Sequence, residues 1–196
     1  MIKLERPNAA VNDPRVRPLG PIGRHGHGKE PEIYVRRYRM KFTWDITATE
    51  SRQNIIDWVV QRARKKKKLK NLVLSCHGEA GVLRLGQGFD NSNVALFAAW
   101  RGLIEKIWIP GCSVAFIGTG GSNGNVFCSK MAQLVQCYVV ASTEDQCDEA
   151  KTFPIDEISS FEGLVLSYDP GGNISWQGRN PSTWHKASGE CVPVPD

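Results

Sequence analysis

The sequence lacks any long apolar run, and this absence excludes proteins with transmembrane helices. None of its hydrophobic stretches approaches the roughly 18 to 20 consecutive apolar residues that a transmembrane helix needs. The first twenty residues also lack the apolar stretch of a secretory signal. We therefore expect a protein that works in the cytoplasm or is exported without a conventional signal peptide, and we expect no membrane partner.

A Cys-x-x-Cys pair is also missing, although the chain has six cysteines, at positions 76, 112, 128, 137, 147 and 191. The spacing does not suit a zinc knuckle, and the missing signal favours free thiols in a reducing compartment. Cys128 and Cys137 lie in apolar surroundings and are expected to be buried. Cys76 and Cys112 differ, because each follows a strand-like run. We predict no metal site and no cofactor.

The net charge of +5 conceals two parts of opposite sign. Residues 1–70 hold 18 basic and 7 acidic side chains, whereas residues 71–196 hold 7 basic and 13 acidic ones. Aromatic residues make up 9% of the 196 residues and hydrophobic residues 41%, which is typical of a globular domain with a proper core. We predict a flexible, basic, proline-rich arm over residues 1–31 and a single domain over 32–196 with its core at 71–178.

Apolar periodicity outlines the elements of this domain. The pattern predicts strands within 32–47, a helix from Thr49 or Ser51 to Arg64, a strand at 71–75, a small β excursion at 81–88, a helix at 91–103 with Val94, Leu96, Phe97 and Trp100 inward, a strand at 106–109, a helix at 125–135, a strand at 137–142, and a hairpin that turns at 169–172. Helices alternating with short apolar strands predict an α/β fold, with a mostly parallel sheet covered by helices on both faces.

Three of these strands end in chemically reactive residues: LVLSCHG at 72–78, IWIPGC at 107–112 and VVASTED at 139–145. In an open α/β sheet, functional groups lie just beyond the carboxyl ends of the strands. If the first two strands are neighbours, His77 and Cys112 emerge at the same edge. The pair would then serve thiol catalysis, with Cys112 as nucleophile and His77 as the base that takes its proton.

A glycine follows the histidine, and it has a use in the same chemistry. Gly78 has no Cβ, so a substrate carbonyl can approach its backbone N–H closely. Together with the N–H of Cys112, this group would form an oxyanion hole, where loss of one donor costs about 3 to 4 kcal/mol.

This pattern resembles the caspase-like, clan CD cysteine peptidases, in which an apolar strand ends in His-Gly and a parallel strand ends in the nucleophilic cysteine. More closely, the stretch from Leu72 to about Gln177 resembles an uncharacterised caspase-like domain found near the start of large bacterial surface proteins. The shared elements are HG-x-x-G-x-L-x-L-G from His77, G-C-x-V-A from Gly111, VVAST from Val139, and G-x-x-x-W from Gly172.

The resemblance implies a caspase-like three-layer sandwich with a C-terminal hairpin, a His77/Cys112 dyad, and Gly78 and Cys112 as oxyanion donors. It also implies a protein or peptide substrate and suggests an effector role. Pro110-Gly111 stands where caspases have Gln-Ala, so their preference for aspartate does not carry over.

The substrate preference is expected from an acidic loop. This loop holds Glu144, Asp145, Asp148 and Glu149, which would favour Arg or Lys at the cleaved bond. The basic run from Arg62 to Lys70 would then be a candidate for self-cleavage.

Other interpretations stay open at this point. GTGGSNG at 118–124 imitates a nucleotide-binding loop, but Asn123 stands where the third glycine is required. The alternative function is that of a non-enzymatic caspase-like interaction module, whose basic N-terminal segment binds an acidic partner or nucleic acid. Cys76 is a second candidate nucleophile, His185 a second candidate base, and Glu79 or Asp90 candidate partners of His77.

Overall fold

A computed structural model of the chain describes residues 1–15, 38–118, 123–146, 153–180, 182–185 and 190–193. Its strands are β1 (Ile2–Lys3), β2 (Asn8–Asn12), β3 (Phe42–Asp45), β4 (Leu69–Ser75), β5 (His77–Glu79), β6 (Val82–Arg84), β7 (Ile104–Ile109), β8 (Tyr138–Ser142), β9 (Glu157–Ile158), β10 (Leu164–Tyr168), β11 (Ile174–Arg179), β12 (Ser182–His185) and β13 (Glu190–Pro193). Seven of them form one sheet in the order β11-β10-β8-β7-β4-β2-β3. The remaining strands form the two-stranded sheets β1-β9, β5-β6 and β12-β13.

The seven-stranded sheet is mixed, and this confirms the predicted α/β class. Five consecutive strands of the sheet, β3, β2, β4, β7 and β8, run parallel to one another, whereas β10 and β11 are antiparallel additions. β10 and β11 form the predicted hairpin, and the main-chain N–H of Gly172 donates to the carbonyl of Asp169 in its turn. β4 and β7 are direct parallel neighbours, as the proposed His-Cys arrangement requires.

In the described part of the chain, two α-helices and one 3₁₀ helix accompany the sheet. α1 (Arg52–Lys65) begins where the predicted helix does, because the Ser51 side chain accepts a hydrogen bond from the N–H of Asn54. α2 (Gly124–Val135) is capped in the same way by Asn123.

The predicted helix at 91–103 is instead a 3₁₀ helix over Val94–Trp100. With three residues per turn, Val94, Phe97 and Trp100 share its buried face, whereas Leu96, predicted to face inward, is exposed.

The two faces of the sheet are covered differently, which corrects the prediction of helices on both. In the described part of the chain, α1, α2 and the 3₁₀ helix all contribute to one core, which contains Leu72, Ile107 and Val139 from the sheet. On the other face, a second core forms around Val73 and Val140 from the sheet. Non-helical segments cover that face, with Leu4, Tyr38, Met40, Phe153 and Phe161 as their buried side chains.

The prediction of a flexible arm over residues 1–31 is wrong for residues 1–15, which contain β1 and β2. Residues 16–31 lie outside the described part of the chain. β2 lies between β3 and β4, and all five of its residues are buried. Its asparagines tolerate burial because both make hydrogen bonds: Asn8 accepts from the N–H of Lys41, and Asn12 bonds both main-chain polar groups of Tyr38. Of the strand region predicted over 32–47, residues 38–47 are described, and among them β3 is the strand that forms.

Among the described residues, no helix is both long and apolar enough to cross a bilayer.

Candidate active site

The ends of β4 and β7 converge at the predicted site of His77 and Cys112. β4 and β7 pair in parallel from Leu69 opposite Ile104 to Val73 opposite Trp108. The chain therefore leaves both strands at the same edge of the sheet and continues into His77-Gly78 and Gly111-Cys112. Both His77 and Cys112 are partly exposed to solvent there, so both side chains are accessible from outside the protein.

Gly78 brings the two segments into main-chain contact. A Cβ on Gly78 would lie 2.6 Å from the carbonyl oxygen of Cys112 and 3.3 Å from its nitrogen. A Cβ on Gly111 would lie 2.9 Å from the carbonyl oxygen of Cys76 and 3.6 Å from the nitrogen of Gly78. Only glycine permits both approaches, so the sequence HG and GC at these strand ends lets the two peptide backbones touch.

The chain turns sharply after Cys112 and attaches to the end of β8. Ser113 has a φ of 53°, in the left-handed region, and its N–H donates to the carbonyl of Glu144. Two residues later, the N–H of Ala115 donates to the carbonyl of Ser142. The third predicted strand end is therefore fastened directly beside Cys112.

The His77 ring is oriented by a main-chain carbonyl. Its Nε2 lies 2.7 Å from the carbonyl oxygen of Arg15. Because a carbonyl only accepts hydrogen bonds, Nε2 carries the hydrogen and Nδ1 keeps the lone pair in the neutral ring. The imidazole is thereby prepared to accept a proton at Nδ1.

Arg15 belongs to a cluster of hydrogen bonds that sequence reasoning missed. The Asp13 carboxylate accepts bonds from the N–H and Nε of Arg15 at Oδ1, and from the Arg15 Nη2 and the Gly86 N–H at Oδ2, all at 2.7 to 3.0 Å. The two hydrogens of Nη2 are shared between Asp13 Oδ2 and the carbonyls of Arg84 and Gly86. The hydrogen bond to Asp13 is the largest cause that raises the pKa of Arg15. We call Asp13 and Arg15 together the Asp13–Arg15 clasp.

The Cys112 thiol contacts a buried glutamine. The main-chain N–H of Gln146 donates to Sγ at 3.4 Å, and Sγ lies 3.8 Å from the carbonyl oxygen of the same residue. An N–H donor stabilises the thiolate form of a cysteine. The Gln146 side chain is held in turn by both main-chain polar groups of Glu162, so this donor has a fixed position.

Three other cysteines have the properties of buried, unreactive thiols. Burial raises the pKa of Cys76 and Cys128 and raises that of Cys137 to about 12. Cys76 is only 2% exposed, in the core on the helix side of the sheet. Thiols of this kind are poor nucleophiles at neutral pH, so Cys76 is the weaker of the two candidates. Cys147 lies outside the described residues.

The predicted acidic residues separate in space. Asp145 lies near the site, because Oγ of Ser113 donates to its Oδ1 at 2.6 Å. Glu144 instead pairs with Arg179 at 2.9 Å and accepts from the N–H of Leu164. Asp148 and Glu149 lie outside the described residues.

Glu79 and Asp90, the candidate partners of His77, make other contacts, and the second candidate base, His185, lies in a separate two-stranded sheet. Glu79 forms an exposed ion pair with Arg84. Asp90 accepts hydrogen bonds from Ser92, which lower the pKa of Asp90. His185 ends β12, where it pairs in register with Glu190.

The nucleotide-loop alternative loses the strand on which it depended. Val114 to Ile117 form turns and irregular structure rather than a strand, and residues 119–122 lie outside the described part. No group of three or more potential metal-ligating side chains occurs among the described residues.

The basic run from Arg62 to Lys70 has little irregular backbone. Its first four residues complete α1, and its last two belong to β4. Only Lys66 to Lys68 lie between these elements, and Lys67 has a φ of 67°. A peptidase binds substrate in an extended conformation, so cleavage elsewhere in the run requires α1 or β4 to open first.

A groove of about 1000 Å³ lies away from this site, along the starts of the parallel strands. Its lining includes Lys68, Lys106, Trp108, Tyr138 and Trp176, but neither His77 nor Cys112.

Comparison with known proteins gives one family. A protein-family model described as a domain of unknown function (DUF4347) matches residues 38–152, which is more than half of the chain and includes both His77 and Cys112. No curated protein and no solved structure matches the chain.

Proposed function

Because the chain belongs to the DUF4347 family of domains of unknown function, its family does not indicate a reaction, and we propose from the geometry of its site that it is a caspase-like cysteine endopeptidase. His77 and Cys112 are its catalytic dyad. The observation that carries the proposal is the main-chain contact of Gly78 with Cys112, made by the two segments that follow the neighbouring parallel strands β4 and β7.

The reaction begins with a proton transfer. Nδ1 of His77 takes the thiol proton of Cys112, and Sγ attacks the carbonyl carbon of the scissile peptide bond. The new S–C bond gives a tetrahedral oxyanion, which the N–H groups of Gly78 and Cys112 stabilise. When the C–N bond breaks, the His77 imidazolium gives its proton to the leaving amine and a thioester remains.

Hydrolysis of the thioester reverses these roles. His77 takes a proton from water, whose oxygen attacks the thioester carbonyl, and the C–S bond breaks. The carboxylic acid product leaves, and the sulfur regains a proton from His77. The Gln146 N–H at 3.4 Å supports both halves of the cycle, because it stabilises the sulfur whenever it carries negative charge.

A preference for Arg or Lys at the cleaved bond rests on Asp145. Its carboxylate is linked to Ser113, the residue after the nucleophile, and therefore lies within reach of a side chain bound beside Cys112. Glu144 is a weaker candidate, because its carboxylate contacts Arg179 and Leu164 rather than the segment that follows Cys112.

The proposal is tested with peptide probes that carry a thiol-reactive group after Arg, Lys, Asp or Leu. We expect the Arg and Lys probes to label Cys112 faster than the other five cysteines, as read by peptide mass spectrometry. Cys112→Ala should abolish this labelling and His77→Ala should slow it by about 100-fold or more.

Cys76→Ala is the matched control, because it removes a neighbouring but buried thiol and should leave the rate unchanged. Equal labelling of all six cysteines in the folded protein would contradict the proposal. Salt-sensitive binding of nucleic acid by a protein with no reactive thiol would favour the interaction module instead.

A further inference from the structure

The loop after β2 is connected to the candidate active site by hydrogen bonds of Asp13 and Arg15. The side chain of Asp13 is inaccessible to solvent, although it carries a charge, and it accepts four hydrogen bonds. Three come from Arg15, two residues along the chain, and one comes from Gly86. A buried carboxylate lowers the stability of the folded state unless hydrogen bonds replace its lost hydration. The four bonds to Asp13 therefore fix the loop in one conformation.

The clasp also joins two separate parts of the chain. Nη2 of Arg15 donates to the carbonyls of Arg84 and Gly86 at 2.7 and 2.8 Å. Arg84 lies opposite His77 in the β5-β6 pair. The Arg15 guanidinium is therefore bound to the strand beside His77. The main-chain carbonyl of Arg15 accepts the bond from His77 Nε2 at 2.7 Å.

We propose that Asp13 and Arg15 are positioning residues for His77: the clasp holds the Arg15 carbonyl in place and so keeps the imidazole in the Nε2–H tautomer. As a role in catalysis, this inference rests on the proposed function. The tautomer itself is independent of that function. If the clasp opens, the carbonyl moves away, the ring samples both tautomers, and the fraction with a basic Nδ1 falls.

Asp13→Asn is a sharp test, because each carboxylate oxygen accepts two hydrogen bonds. In either orientation, the amide nitrogen of the asparagine faces two N–H donors. The substitution keeps the shape of the side chain but breaks the clasp. Asp156→Asn is the matched control: Asp156 is also mostly buried, pairs with Arg6 at 2.7 Å and bonds Asn8, at the opposite end of β2.

The first measurement is the nitrogen NMR spectrum of histidine-labelled protein, with His77 assigned through His77→Gln. We expect a single Nε2–H tautomer in the parent and in Asp156→Asn, and a mixture in Asp13→Asn. The second measurement is peptide cleavage, where Asp13→Asn should lower kcat by about 10- to 100-fold with little change in KM, as misplacement of a catalytic group does.

Failure of the inference and failure of the proposed function give different results. An unchanged tautomer in folded Asp13→Asn overturns the inference, even when Cys112 labelling proves the peptidase. A changed tautomer in a protein without His77-dependent labelling keeps the positioning of His77 and overturns the peptidase and with it the catalytic role. If Asp13→Asn does not fold, Arg15→Lys is held to the same criteria, since lysine keeps the charge but cannot reproduce the forked contacts of the guanidinium.

Discussion

Replacement of Gly78 by alanine tests the contact on which the proposed chemistry depends. The new methyl group would meet Cγ2 of Val114 at 2.3 Å and the carbonyl oxygen of Cys112 at 2.6 Å, where ordinary van der Waals contact begins at 3.4 Å. Val114 is fully buried, so it cannot move away freely. The strain is relieved by separation of the His77 and Cys112 segments.

The size of the expected effect follows from these distances. Overpacking of a buried site typically costs about 1 to 3 kcal/mol of stability, which a domain with two cores should survive. A misplacement approaching 1 Å between base and nucleophile costs about 100-fold in rate. We therefore expect Gly78→Ala to fold, melt at a lower temperature, and lose about 100-fold in the rate of Cys112 labelling by a peptide probe.

Two further glycine variants make the test a graded series. A Cβ on Gly111 would meet a main-chain oxygen at 2.9 Å, so Gly111→Ala should lose less rate than Gly78→Ala. A Cβ on Gly171, in the distant hairpin turn, would meet only side-chain atoms at 3.0 Å or more, so Gly171→Ala should keep the parent rate. A labelling rate in folded Gly78→Ala equal to that of the parent would refute the reasoning.

Two other predictions concern specificity and pH. Asp145→Asn should lower kcat/KM for an Arg peptide by about tenfold or more, whereas Glu144→Gln should not alter the ratio of Arg to Leu peptides; equal losses for both peptides would contradict the assignment of Asp145. Burial raises the pKa of Cys137 from 9.0 to about 12. The unfolded chain therefore loses this proton first, and the free energy of unfolding should fall above about pH 9, by up to about 1.4 kcal/mol per pH unit for this group. Urea titrations from about pH 8 to about pH 11 should show a shallower fall in Cys137→Ala; equal slopes would contradict this.

The strand ends of the site could be predicted from the sequence because they are made by short apolar runs. LVLS and IWI are apolar on both faces, as central parallel strands must be, and glycine follows or precedes each reactive residue. Ser51 likewise marks the start of α1. The functional proposal stays a prediction, since the neighbouring strands place His77 and Cys112 at one edge without testing their chemistry.

The clasp could not be predicted, and β2 shows why. Its sequence NAAVN, between Pro7 and Pro14, has only one large apolar residue and two asparagines, so local pattern favours a loop. Burial of the asparagines is compensated by main-chain groups of residues 38 and 41, far along the chain. No local signal reports such partners. The 3₁₀ helix is a similar case, since its apolar residues fit both helical periods and packing selects the tighter one.

The place of β2 in the sheet has a consequence for how the protein is made. It lies between β3 and β4 in the sheet, although these strands follow it in the sequence by about thirty and sixty residues. Both of its pairings are parallel and distant in sequence, and contacts of this kind form slowly. The Asp13–Arg15 clasp cannot close until β6 and its following turn are also present. Assembly of the sheet edge that holds His77 and Cys112 is therefore expected to be a late event in folding.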